Sequence, residues 1–137
     1  MQVYIITEHC GKSSIKRLVE SSIDQKLTPT EAFHIFKQLI SIVEYFQKIQ
    51  ICHRNIKAAN ILVQKDLNIK LIDFALSKQL SLGQPAKGYC GSEAYMTDDM
   101  KSGNEYDAYK SDLWACFVIL FYMLTGKYPS DGRLTLA

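Results

Sequence analysis

The chain has 137 residues, 47% of them hydrophobic and 22% charged, which is typical of one globular domain and excludes a disordered chain, a collagen-like repeat and a coiled coil. The formal net charge of +2 is small and no block of like charge occurs, so no nucleic-acid partner is expected. The longest apolar run, residues 113–124, is shorter than the roughly 18 residues that a membrane-spanning helix needs, so no membrane contact is expected either.

The N-terminus has neither a basic region nor a small-residue cleavage site, so no signal peptide is visible. The four cysteines lie tens of residues apart and form no C-x-x-C pair, so the spacing of a zinc site is absent. These features favour free thiols in a reducing compartment and predict a cytoplasmic location.

Residues 3–6 read V-Y-I-I, a short β-branched and aromatic run that predicts a strand. This strand begins almost at the first residue, with nothing before it to form a hydrogen-bonded pair. After a linker at residues 10–14, Ile15, Leu18 and Val19 recur at helical spacing, which predicts a helix. Either Ser13 or Ser14 can cap its N-terminus.

The next helix has the clearest start in the sequence. Thr28 can cap it, Pro29 suits the first helical position, and Glu31 completes a capping box. The helix is predicted to run to about Lys48. Its apolar stripe has i, i+3, i+4 spacing, is interpreted as core packing, and consists of Phe33, Phe36, Ile40, Val43 and Phe46.

The second half of the chain contains a hairpin, a long loop and a helix. Two β-branched runs, residues 61–63 and 69–72, flank a polar segment and predict the hairpin. Residues 76–111 lack periodicity and are predicted to be mostly loop, of the kind that is usually functional or flexible. Residues 112–125 are apolar on all sides and predict a helix buried at the centre of the domain, with Gly126 and Pro129 ending it.

Two polar segments flank the predicted hairpin: H-R-N-I-K-A-A-N at residues 53–60 and D-F-A at residues 73–75. In this order and spacing they resemble the protein-kinase catalytic loop, H-R-D-x-K-x-x-N, and the D-F-G motif. Residues 91–96 resemble the G-S-x-x-Y-M segment that precedes A-P-E, and residues 110–129 resemble the central helix of the large lobe. The resemblance to the protein kinase superfamily covers about residues 2–130, and a lysine at position 57 favours the Ser/Thr branch.

The resemblance implies roles for the polar residues. Asn60 and Asp73 would bind Mg²⁺, because both supply the hard oxygen atoms that this ion requires. Lys57 would contact the γ-phosphate of ATP. His53 and Phe74 would stack in a hydrophobic column, and the expected anchor of that column is Asp112.

The resemblance also implies an adenine site. Thr7 would be the gatekeeper, backbone groups of Glu8 and Cys10 would bind the adenine, and Leu62 would lie beneath the ring. Arg54 has two interpretations that stay open. It would either hold a phosphorylated activation loop through a bidentate pair or cap loop carbonyls.

Several positions depart from the family pattern. Asn55 stands where the catalytic aspartate is expected, and an amide cannot accept the proton of a substrate hydroxyl. Ala75 replaces the glycine of D-F-G, residues 97–99 read T-D-D in place of A-P-E, and Phe117 stands where many kinases have glycine. These 137 residues include neither a Gly-rich loop nor the V-A-I-K lysine.

The expected fold is a mainly α (α+β), partial protein-kinase-like fold over residues 1–137: a C-terminal lobe with a hinge strand and a catalytic-loop β-hairpin, and with the N-terminal lobe largely absent. The expected function is that of a Ser/Thr-type kinase family member that is truncated or inactive by itself, with ATP and Mg²⁺ as the cofactors that the resemblance implies. Alternatives are a pseudokinase-type protein-binding module, an active kinase represented incompletely, and a non-functional remnant. The expected partner is a protein, either a substrate or a binding partner, and the oligomeric state is left open.

Overall fold

The computed structural model describes residues 2, 4–11 and 13–129. Helices dominate these residues, as the sequence predicts. They are α1 (Ile15–Ser21), α2 (Pro29–Lys48), α3 (Asp98–Lys101) and α4 (Ala108–Thr125). The strands are β1 (Ile51–Cys52), β2 (Ile61–Val63), β3 (Ile69–Leu71) and β4 (Lys78–Gln79). They form two antiparallel pairs, β1 with β4 and β2 with β3.

Side-chain caps fix the starts of the first two helices. Ser14 Oγ accepts the Arg17 N–H at 3.3 Å and caps α1. At the start of α2, Thr28 Oγ1 accepts the Glu31 N–H at 3.3 Å, and Glu31 Oε2 accepts the Thr28 N–H at 3.0 Å. The predicted capping box and the predicted end at Lys48 are therefore confirmed.

The buried face of α2 differs from the predicted stripe. Its four buried residues are Ala32, Ile35, Leu39 and Val43. Phe33 is 67% exposed, so its inclusion in the core is wrong. The reason is geometric: each helical residue is rotated by about 100°, so Phe33 lies a quarter-turn away from Ala32, which belongs to the buried line.

The hairpin is confirmed, with Ile61 opposite Leu71 and Val63 opposite Ile69. The hinge strand is wrong for its described part, because residues 4–6 have no regular secondary structure and are 79–95% exposed. Val3 lies outside the described residues. A strand needs a hydrogen-bonded neighbour, and no described strand pairs with residues 4–6.

Helix α4 begins four residues earlier than predicted. Asp107 caps it by accepting the Tyr109 and Lys110 N–H groups at 3.0 and 3.1 Å, and the helix ends at Gly126, whose φ is +70°. Leu113 and Phe117 are 39% and 40% exposed, so the prediction of burial on all sides is wrong. Its described neighbours cover α4 on one side, where it packs mainly against α2. No helix in the described residues is long and apolar enough to cross a membrane.

Residues 76–111 are mostly irregular, as predicted, but they are organised around a second apolar cluster. Backbone hydrogen bonds of 2.9 and 3.0 Å join Ala86 and Tyr106, and β4 pairs with β1. The buried members of the cluster are Cys52, Leu80, Ala86, Met96, Met100, Tyr106 and Ala108. The cluster therefore packs the segment after the hairpin against the start of α4.

Candidate functional site

The β2–β3 hairpin brings the two polar segments together. A 3₁₀ turn, Ala58–Asn60, leads directly into β2, and Asp73 follows β3 by two residues. The Ile72 N–H donates to the Asn60 carbonyl oxygen at 2.9 Å, which extends the ladder to the edge of the site. The two segments therefore meet at one end of the hairpin.

Three predicted site residues form one hydrogen-bonded group, which we call the amide–carboxylate cluster: Asn55, Asn60 and Asp73. Asn55 Nδ2 donates to Asp73 Oδ2 at 3.0 Å. Asn60 Nδ2 lies 3.4 Å from the same oxygen and also donates to the Asn55 carbonyl oxygen at 3.0 Å. Both asparagines are buried. The cluster therefore contains one carboxylate and two amide donors.

Asp73 has an unusual backbone conformation within this cluster. Its φ is +66°, in the left-handed region that non-glycine residues rarely adopt. Such a conformation persists only where surrounding contacts determine it. The two amides and the Ala75 N–H, which donates to Asp73 Oδ1 at 3.4 Å, are the contacts that hold this aspartate.

An aromatic column lies beside the cluster. The His53 and Phe74 rings pack edge to face, with their centroids 4.8 Å apart. The Phe46 ring from α2 stacks on His53, with a centroid separation of 6.4 Å. Burial lowers the pKa of His53, because the imidazolium would lose its hydration. The sequence indicated His53 and Phe74 through the resemblance, but it placed Phe46 in the general core of α2.

Asp112 anchors this column from α4. Its carboxylate oxygens accept the backbone N–H groups of His53 and Arg54 at 2.7 and 2.8 Å, across nearly 60 positions of sequence. Burial raises the pKa of Asp112 to about 6, and the two N–H bonds oppose that effect. This aspartate therefore fixes the backbone that carries the catalytic-loop residues.

The two basic residues of the loop form hydrogen bonds with residues outside the cluster. Lys57 Nζ donates to Ser92 Oγ at 3.2 Å, and Arg54 Nε donates to the Leu76 carbonyl oxygen at 2.9 Å. This contact with a loop carbonyl corresponds to the second of the two interpretations of Arg54. Ser92 had no assigned role in the sequence, although it lies in the G-S-x-x-Y-M segment.

Gly91, in the same segment, packs directly on the catalytic loop. Its φ is +97°, and a Cβ atom there would lie 2.9 Å from the Arg54 carbonyl oxygen. This close approach lets residues 90–92 pass beside residues 54 and 55. The glycine that precedes Ser92 in the motif was the sequence signal for this contact.

The predicted adenine-binding residues differ in exposure. Thr7 and Glu8 are exposed, whereas Cys10 and Leu62 are half-buried. Glu8 Oε1 lies 3.0 Å from Lys70 Nζ on β3, and this ion pair lowers the pKa of Glu8. The ion pair therefore connects the segment at residues 4–11 to the hairpin.

Comparisons with known proteins establish the family. A family model described as the protein kinase domain matches residues 1–135. The chain belongs to the protein kinase family. It is 37% identical over 132 residues to sperm motility kinase 2A of Mus musculus, covering 96% of this chain and 26% of the relative.

Two further relatives are also named as protein kinases. The chain is 35% identical over 131 residues to a serine/threonine-protein kinase SIK3 homolog of Danio rerio, covering 95% of this chain and 11% of the relative. It is 35% identical over 132 residues to the carbon catabolite-derepressing protein kinase of Saccharomyces cerevisiae, covering 96% of this chain and 20% of the relative. The chain thus spans about a quarter or less of the length of these relatives.

Protein kinases use ATP and Mg²⁺ in general, so the cluster can be tested against that ion. Mg²⁺ takes oxygen ligands in an octahedral arrangement. Here Asp73 Oδ2 already accepts amide N–H groups from Asn55 and Asn60, and the cluster has no second negatively charged group because position 55 is an amide. In the part of the chain that the structure describes, no three His, Cys, Asp or Glu side chains lie close enough together to hold a metal ion. The cluster as arranged does not fit a divalent cation.

Proposed function

We propose that this chain is a kinase-fold protein-binding module that does not transfer phosphate by itself. The observation that carries the proposal is the Asn55 side chain, which donates its amide hydrogen to Asp73 at 3.0 Å. The kinase motif has a proton-accepting carboxylate at this position. An amide nitrogen that is already a donor has no basic lone pair for the proton of a substrate hydroxyl.

The positions of the other polar residues support the same proposal. Phosphoryl transfer depends on positioning and on neutralising the charge of the transferred group. Lys57 is engaged with Ser92, and the Asp73 carboxylate is engaged by two amides. These groups stabilise the loop itself, which suits a scaffold better than a phosphate-binding site.

Exposed apolar side chains at residues 4–6, and separately at Phe74, support a protein as the partner. Tyr4, Ile5 and Ile6 are 79%, 85% and 95% exposed, and Phe74 is 48% exposed at the edge of the site. Apolar side chains that cluster at a surface commonly mark sites of protein–protein contact. We therefore propose a protein, rather than a small molecule, as the binding partner.

Ser/Thr kinase activity with ATP and Mg²⁺ is the second candidate function. The favouring observation is that Lys57, Asn60 and Asp73 retain the residue types of the motif, with Asn60 and Asp73 side chains 3.4 Å apart. In that case Thr7, Glu8, Cys10 and Leu62 would contact the nucleotide. The Asn55 amide argues against this activity in the chain as it stands.

A radiolabelled-phosphate assay separates the two candidates. We expect no incorporation into a generic basic protein substrate by the wild type, whether Mg²⁺ or Mn²⁺ is present. Asn55→Asp restores a proton acceptor, which is typically worth about 10²–10⁴-fold, but it does not supply the phosphate-positioning groups. We therefore expect no incorporation by this variant either.

Asp73→Ala and the exposed-site variant Asp66→Ala serve as controls for contaminating kinase. Incorporation by the wild type that persists in Asp66→Ala and disappears in Asp73→Ala would overturn the proposal. Incorporation by Asn55→Asp alone would show that the residues within this chain suffice to position ATP, and that the amide at position 55 is the sole block.

A further inference from the structure

Three N–H donors contact the carboxylate of Asp73, which is an exposed residue. Its Oδ2 atom faces Asn55 Nδ2 at 3.0 Å and Asn60 Nδ2 at 3.4 Å, and its Oδ1 atom accepts the Ala75 N–H at 3.4 Å. Hydrogen bonds to a charged acceptor are stronger than those between neutral groups. Protein groups alone therefore hold the Asp73 side chain in place.

The direction of the Asn55 amide follows from the same contacts. If the amide were reversed, its oxygen would face the carboxylate oxygen of Asp73, and two acceptors would repel each other. A carboxylate at position 55 would produce the same repulsion with a full charge on each side, at about the 3.0 Å separation that the hydrogen bond now has. Two carboxylates at that distance are compatible only when a proton or a cation lies between them.

We propose that the Asn55 amide holds the D-F-A segment against the catalytic loop with no metal bound. The amide joins residue 55 to Asp73, whose φ of +66° directs the chain into Phe74, and Phe74 packs on His53 at 4.8 Å. One neutral side chain thus links the cluster to the aromatic column.

This inference concerns the folded state and not catalysis. It rests on the hydrogen bonds and charges of the cluster, and it holds whether or not the chain binds a protein partner. Its test therefore uses thermal stability, which gives no information on phosphate transfer.

The experiment measures the melting temperature of the full chain by circular dichroism, in EDTA and in millimolar Mg²⁺ at equal ionic strength. The wild type is expected to melt at the same temperature in both buffers. Asn55→Asp is expected to melt about 5 °C lower in EDTA, because like charges then face each other, and to regain most of that loss in Mg²⁺. Asn55→Ala loses the hydrogen bond without adding charge, so its lower melting temperature should not respond to Mg²⁺.

Asn68→Asp is the matched control. Asn68 also donates its side-chain amide to an aspartate, Asp66, but Asn68 is exposed at the hairpin turn, whereas Asn55 is buried. Solvent screens exposed charges, so this variant is expected to change little in either buffer. A Mg²⁺ response in Asn68→Asp as large as that in Asn55→Asp would indicate a general ionic effect and overturn the proposal.

The wild type alone also tests the proposal. A Mg²⁺-dependent rise in its melting temperature that is lost in Asp73→Asn would show that the cluster binds the cation, and the proposal would be wrong. If Asn55→Asp folds only in Mg²⁺, the proposal is supported. If this variant folds in neither buffer, the wild-type comparison and Asn55→Ala decide.

Discussion

Replacing Asp112 with alanine is expected to destabilise the chain by an amount that depends on pH. The carboxylate is 3% exposed and accepts the N–H groups of His53 and Arg54 at 2.7 and 2.8 Å. Removing it leaves two donors without a partner beneath the catalytic loop. A buried donor that has no acceptor costs about 1–3 kcal/mol of stability. We therefore expect the free energy of unfolding to fall by an amount on the order of 2–4 kcal/mol at about pH 4.

The loss should become smaller as the pH rises. Burial raises the pKa of Asp112 to about 6 from an ordinary value of 3.8, so the folded chain holds a proton that the unfolded chain has released. The stability that this proton provides is fully present below the unfolded value and is lost as the pH rises through the folded value. Between about pH 4 and about pH 7.5, the free energy of unfolding of the wild type should therefore fall by roughly 2 kcal/mol relative to that of Asp112→Ala.

Asp107→Ala is the matched control, because Asp107 caps the same helix and also accepts two backbone N–H groups, but in an exposed position. Loss of an N-cap costs about 1 kcal/mol. Urea titrations of both variants across the pH range measure the two effects. The assignment of Asp112 is wrong if its variant unfolds at the wild-type urea concentration throughout, or if its loss shows the same pH profile as that of Asp107→Ala.

The elements that could be predicted are those with local signals. The start of α2 was predictable because its capping box needs only residues 28 to 31, and the hairpin because its two β-branched runs flank a short polar turn. The two-residue pair β1–β4 gives no periodic signal. The way in which residues 76–111 fold could not be predicted either, because it depends on contacts between residues far apart in sequence, such as Ala86 and Tyr106.

The proximity of three predicted site residues could be predicted from the sequence, but their hydrogen bonding could not. The order of the motifs indicated that Asn55, Asn60 and Asp73 would lie together, and in the structure they do. The sequence could not show that the Asn55 amide donates to Asp73, since residue identity does not give side-chain orientation. It also could not show that Lys57 contacts Ser92, because that contact depends on how residues 90–92 fold back over the loop.

The second large effect on stability is expected at the C-terminus of α4. The linker between α1 and α2 docks there, with the Leu27 N–H donating to the Met123 carbonyl oxygen at 2.7 Å. Gly126 ends the helix with a φ of +70°, and a Cβ atom at this position would overlap the Gln25 carbonyl oxygen. The helix end and the linker therefore approach more closely than any residue with a side chain allows.

Gly126→Ala is expected to cost at least about 3 kcal/mol, from the strained backbone and from the overlap with Gln25 together. Gly103→Ala separates the two causes, because Gly103 has a nearly identical φ of +71° but open space where a Cβ atom would lie. We expect about 1 kcal/mol for this control, since it introduces only the strain of a left-handed alanine. Chemical denaturation measures both losses. Equal destabilisation of the two variants would show that the linker moves aside without cost and that the close approach at Gln25 does not contribute to stability.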